Sequence, residues 1–187
     1  MVSVVLAVWM SLSSLSLSSV CAPPPVLRKG PAPHATYYYR FYGAWTTHEQ
    51  QCVRRSLDQW ETALHDTLDV RFVPVTDAHP LPTLALAKTR LPSPVGGAVV
   101  GVVMTPDGYL QRGSLLFTDD AQRLSSCDGF QKTTLHEVGH LLGLGHVDAA
   151  QASIMRPSMD GADDRGQGLP SSPTVCDVAQ AVRSMSD

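Results

Sequence analysis

His136-Glu137-Val138-Gly139-His140-Leu141-Leu142-Gly143-Leu144-Gly145-His146 is the stretch whose reading decides the fold. His136 and His140 are four residues apart. On a helix that spacing sets both imidazoles on one face, one turn apart, within reach of a single metal ion. Glu137 lies beside them, where its carboxylate can touch a water on that ion without being a ligand. Gly143 can adopt the left-handed conformation that ends a helix. The chain then turns back and delivers His146 as a third nitrogen donor. Three neutral imidazoles with one open coordination position describe a catalytic zinc site rather than a structural one.

Four other histidines, His34, His48, His65 and His79, are scattered without metal-ligand spacing. A second signal lies further on, at Ser153-Ile154-Met155-Arg156-Pro157, with Met155 nine residues beyond His146.

The pattern HExxHxxGxxH followed by such a methionine turn resembles the metzincin clan of zinc endopeptidases. Met155-Arg156-Pro157-Ser158 is most similar to the Met-Tyr-Pro pattern of the matrixin branch, with Arg156 in place of the tyrosine and Val147 after the third histidine. The motif resemblance covers residues 132 to 159, and a looser one in element order covers about 37 to 185. It implies Met155 as a hydrophobic floor beneath the metal. It also implies that Ala98, Val99, Val100 and Gly101, before the Pro106-Asp107-Gly108 turn, form the upper rim of the cleft and pair with substrate backbone. An internal strand is the other reading of that stretch. By the same resemblance Lys132, four before the first histidine, shapes the main specificity pocket, and Pro157 to Met159 form its outer wall. An exposed helix lysine is the alternative for Lys132. Asp119 and Asp120 fall where matrixins place calcium-binding acids, although adjacent aspartates also make a solvated turn.

The remaining chemistry is simple. A zinc ion on neutral nitrogens keeps its double positive charge and lowers the pKa of water to about 7. Glu137 is then the general base, and no side-chain nucleophile is needed. The expected reaction is hydrolysis of a peptide bond in an extended protein or peptide. Other hydrolase substrates, such as cell-wall peptides, and a non-catalytic binding module on the same scaffold are the competing readings.

The 187 residues suffice for one domain, with a net charge of −3 and a pI near 6.1. No basic stripe is present, which speaks against nucleic acid as a partner. Residues 1 to 22 are apolar, serine-laced and uncharged from Val2 to Val20, and read as an export signal. A transmembrane anchor is one alternative; another is a lipoprotein signal with lipidation at Cys21, which would hold the otherwise secreted monomer at a membrane. Residues 23 to 36 are proline-rich and read as an extended linker or short pro-segment. The catalytic domain is 37 to 187. With export, disulfides are expected among Cys52, Cys127 and Cys176, and a staple from Cys52 or Cys127 to Cys176 would close the longest loop.

Element by element, the chain reads as a strand at Tyr37 to Phe41, then a helix from Thr47 with Gln50 as capping-box partner and Val53, Leu57, Trp60 and Leu64 as its buried stripe. Strands follow at Val70 to Val75, Thr83 to Ala87, Ala98 to Met104 and Ser114 to Phe117. A helix over Gln131 to Gly143 carries the ligands, Asp160 to Ser172 is a loop, and Val175, Val178, Ala179 and Val182 mark a last helix. The expected class is α+β. A twisted mixed sheet with two long helices lies above the cleft, and a small irregular lower subdomain with the C-terminal helix lies below it.

Overall fold

A computed structural model describes residues 25–76, 81–92, 95–120, 124–148, 152–157 and 170–185. The leader, Cys21, His79, Met159 and most of the 160–172 loop lie outside them. Five strands, β1 (Thr36–Tyr42), β2 (Arg71–Pro74), β3 (Leu84–Thr89), β4 (Gly97–Met104) and β5 (Leu110–Thr118), form one sheet in the order β2-β1-β3-β5-β4. β1 runs parallel to β2 and β3, and β3 parallel to β5, whereas β4 alone is antiparallel. Pro74, which cannot donate to a ladder, lies in the outermost strand β2, where one side needs no partner. β4 is the opposite edge, so one row of its backbone groups is left for other chains.

Helices α1 (Thr47–Leu64) and α2 (Cys127–Leu141) precede the short α3 (Val175–Arg183). The cap of α1 is Thr46, not Thr47. Thr46 is extended, its hydroxyl accepts from Glu49 N, and Glu49 accepts in return from Thr46 N. Two consecutive threonines satisfy the capping pattern about equally, and only the one paired with a carboxylate rather than an amide also meets Lys88, 2.6 Å from Glu49 Oε1. The stripe of Val53, Leu57, Trp60 and Leu64 is buried as expected. It packs with Leu86, Leu115, Phe117, Leu135 and Val138 in the core between sheet and helices.

Three links join α1 to α2. Cys52 is bonded to Cys127, Ser56 Oγ donates to Gln131 O at 3.0 Å, and Trp60 Nε1 donates to Leu135 O at 3.0 Å. Each pair is separated by 75 residues, so the helices run parallel in a constant register, one rung per turn. The first rung corrects the expected staple to the C-terminal helix. Cys176 is itself disulfide-bonded, but not to Cys52 or Cys127. α2 also begins four residues earlier than Gln131, because Ser126 accepts from Gly129 N as its cap.

Of the apolar residues that mark α3, Val178 and Val182 pack against the core. Val175 and Ala179 are exposed, and the buried set is Asp177, Gln180 and Ala181. Residues 25 to 35, read as linker or pro-segment, hydrogen-bond to the domain: Leu27 N to Gly143 O, Leu110 N to Gly30 O and His34 N to Leu68 O. Among the described residues no helix is long and apolar enough to cross a membrane.

Candidate active site

α2 carries His136 and His140 on one face, as the spacing requires. Gly143 ends the turn after it with φ +91°, a conformation a residue with Cβ strains to adopt. That reversal returns His146 to the other two rings. His146 Nε2 lies 3.2 Å from His136 Nε2 and 3.1 Å from His140 Nε2. The opposite ring atoms are already used: His136 Nδ1 donates to Ile154 O at 2.7 Å and His140 Nδ1 to Leu144 O at 2.8 Å. These bonds fix the tautomer, since a neutral imidazole donating from Nδ1 presents a bare lone pair at Nε2. His136 and His140 therefore both turn a bare lone pair toward His146 Nε2; a proton there could satisfy only one of them, whereas a cation between the three rings satisfies both. Zinc held tetrahedrally at about 2.0–2.1 Å separates its nitrogen ligands by about 3.3–3.4 Å, close to the spacing found. The residues fit the metal.

Burial, then the neighbouring His140, pushes His136 down to a pKa of about 4, and burial lowers His140 also, which keeps both rings neutral and ready to ligate. Glu137 is 5% exposed, and burial raises its carboxyl to about 7. Met155 is fully buried, with its sulfur against Gly139 of the metal-bearing helix. Asp177 in α3 holds the methionine turn, accepting from Ser153 Oγ at 2.5 Å and from Thr174 in a capping box.

The cleft above the triad has a volume of about 620 Å³. Of the expected rim, Ala98 and Val99 line it, whereas Val100 and Gly101 do not. Pro157 lines the lower side as expected, while Met159 lies outside the described residues. Lys132 is not among the lining residues, and its ammonium is 2.8 Å from Asp128, one turn back on the same helix. Asp119 and Asp120 are joined by no third donor residue among the described residues, so calcium finds no support. His48, Cys52 and Cys127 also cluster, but both sulfurs are consumed in the disulfide.

Several site residues were not anticipated. A Cβ on Gly97 would meet Thr133 Cγ2 at 2.6 Å and Glu137 Cγ at 2.9 Å, so this glycine makes room for the carboxylate. The Gly96-Gly97 pair ahead of a β-branched run was the available signal. Thr174-x-x-Asp177 was the corresponding signal for the support of Met155. Leu27 and Arg28, far upstream, also line the cleft, and no local pattern announces them.

A mixed sheet, two long helices and a three-imidazole centre beside a buried carboxylate define a zinc metalloendopeptidase. The matrixin family model matches residues 39–172, and the chain belongs to that family. A search of curated proteins returns no match. Among solved structures, myroilysin superposes with a TM-score of 0.51 at 16% identity, over 89% of this chain and 90% of that one, and shares the fold. The high choriolytic enzyme 1 of Oryzias latipes, described as a hatching enzyme zinc-protease, gives 0.47 at 13% identity over 91% and 97% of the two chains. Metalloproteinase-II of Bacteroides fragilis gives 0.49 at 12% identity, over 88% of this chain and 56% of that one.

Proposed function

We propose that the chain is a secreted, monomeric zinc endopeptidase that cuts extended polypeptides, with Glu137 as the general base. The observation that carries this reading is the convergence of three imidazole Nε2 atoms beside the buried Glu137 side chain in an open cleft. His136, His140 and His146 would hold the zinc, which when bound supplies Lewis-acid polarisation of the scissile carbonyl and acidifies water. Glu137 takes a proton from the attacking water and passes it to the leaving amine. A carboxyl pushed up to about 7 gives and takes protons near neutral pH with little cost in either direction. Gly97 leaves that carboxylate its space. Ala98 and Val99, on the edge strand β4, offer unpaired backbone groups to the substrate chain, a mode of binding that tolerates many side chains. Pro157 bounds the lower side.

Export through the leader 1–22 accords with the Cys52–Cys127 bridge, which persists in oxidising compartments. We assign residues 25 to 35 to the mature catalytic domain, on the strength of their hydrogen bonds to Gly143, Leu110 and Leu68.

Metal analysis and cleavage of denatured casein test the roles together. His140→Ala should lose stoichiometric zinc. Glu137→Gln should keep it while kcat falls by about 10²–10⁴. A Glu137→Gln protein with bound zinc and undiminished cleavage would overturn the assignment.

A further inference from the structure

The cleft has one wall that lies upstream of the family match. Residues 25 to 31 form a strap across the turn that follows α2. Gly145 N donates to Pro25 O at 2.8 Å and Leu27 N to Gly143 O at 3.0 Å, while Val26 bridges Leu144 in antiparallel fashion. Glycines on both partners permit this approach. A Cβ on Gly143 would lie 2.4 Å from Arg28 O, and one on Gly30 would lie 2.6 Å from Leu142 O. The strap is thus fitted to the metal-bearing turn, and it holds Arg28 at the cleft.

Arg28 lines the same cavity as Glu137 and the three imidazoles. One of its terminal nitrogens donates to His140 O at 2.5 Å. A guanidinium carries five N–H donors, so most remain for another acceptor. The group is half-buried. Among the described residues no carboxylate stands within ion-pair range of it. A partly desolvated cation without a counter-ion costs free energy that an arriving anion recovers. Glu137 is the only carboxylate among the described residues that line the cavity.

We propose that Arg28 is a specificity-determining residue that binds a carboxylate of the substrate, so that the enzyme prefers acidic peptides. This rests on the endopeptidase reading above. The carboxylate is either an Asp or Glu side chain near the scissile bond or the free C-terminus of a short peptide.

Isosteric peptides decide between these. Glu is compared with Gln at each of three positions on either side of the scissile bond, with the C-terminus free or amidated. For the wild type, kcat/KM should favour the charged member by about 10-fold or more at one place, the worth of a hydrogen-bonded charge. Arg28→Gln keeps a donor for His140 O but loses the charge, and should bring that ratio to about one. The ratio is taken within each protein, so a general loss of activity from a loosened strap cancels. A preference at a side-chain position identifies an internal acid; a preference for the free over the amidated terminus identifies the terminal carboxylate. Either supports the proposal. Ratios near one throughout in the wild type, or a preference that Arg28→Gln leaves unchanged, would overturn it. If no peptide is cut, the endopeptidase reading fails, and anisotropy of labelled Glu and Gln peptides on wild type and Arg28→Gln still decides whether Arg28 selects acids.

Discussion

Gly139 lies inside the metal-bearing helix, where glycine costs about 1 kcal/mol relative to alanine. On helix propensity alone, Gly139→Ala should stabilise the protein. The structure says the reverse. An alanine Cβ would lie 2.2 Å from Met155 Sδ, 3.2 Å from Met155 Cε and 3.6 Å from Leu144 Cδ1. A carbon and a sulfur need well over 3 Å, so the thioether must withdraw by more than an ångström. Its backbone cannot follow, because Met155 N donates to Ser153 Oγ and Met155 O accepts from Val147 N. The side chain is fully buried and has no solvent to swing into. Overpacking of this kind costs about 1–3 kcal/mol. With both neighbours fixed the upper part of that range applies, and after the propensity gain a net loss of about 1–2 kcal/mol remains. At about 2–4 °C per kcal/mol for a chain of this size, Tm should fall by about 2–8 °C. The measurement is calorimetry on chelator-stripped protein, so that metal linkage does not enter. The same substitution in a Met155→Ala background, where the sulfur is gone, should be neutral or stabilising by up to about 1 kcal/mol. A rise in Tm for the single variant, or the same change in both backgrounds, would refute the reasoning.

Two further substitutions test the surroundings. Gly143→Ala places a Cβ at φ +91° and 2.4 Å from Arg28 O; it should cost more than about 2 kcal/mol and expose residues 25 to 31 to limited proteolysis, and an unchanged urea midpoint would count against the strap. For Glu49, burial raises the carboxyl, but hydrogen bonds from Lys88 and Thr46 outweigh it and hold the group below its ordinary 4.5. A depressed folded-state value means stability that is full above 4.5 and lost as pH falls through the folded value. Wild type should therefore exceed Glu49→Gln by about 1 kcal/mol near neutral pH, with the gap closing below about pH 4 in denaturant titrations; a pH-independent gap would exclude the ion pair as its source.

The triad, Glu137, Gly143 and Met155 were legible because each depends on short-range spacing. An i,i+4 pair fixes two imidazoles, and one left-handed residue sets the reversal that brings the third. Whatever depends on chain folding over long separations was hidden. Cys52 and Cys127 meet across 75 residues, and loop-closure entropy, the guide to a Cys176 partner, says nothing about which thiols the helices bring together. Arg28 reaches the cleft across 112 residues from His140. Lys132 was open to two readings, pocket or helix surface, and what spacing could not show is that Asp128, one turn earlier, holds its ammonium. The share of Asp177 in the buried face of α3 was hidden for a different reason. Asp177 is buried by its bonds to the methionine turn, and hydrophobic periodicity does not count a satisfied carboxylate as core.

The rungs between the two long helices bear on how such an enzyme can change. Leu135, the last rung, immediately precedes His136, so the azimuth of the ligand-bearing face is indexed to Trp60 rather than to the strands that intervene. The segment from His65 to Ser126 can gain or lose residues at its loops without rotating the hydrolytic machinery. A single inserted residue within either helix would swing it by about 100°. Variation in substrate choice is thereby steered toward the rim, and the spacing of α1 is as tightly held as the histidine signature itself.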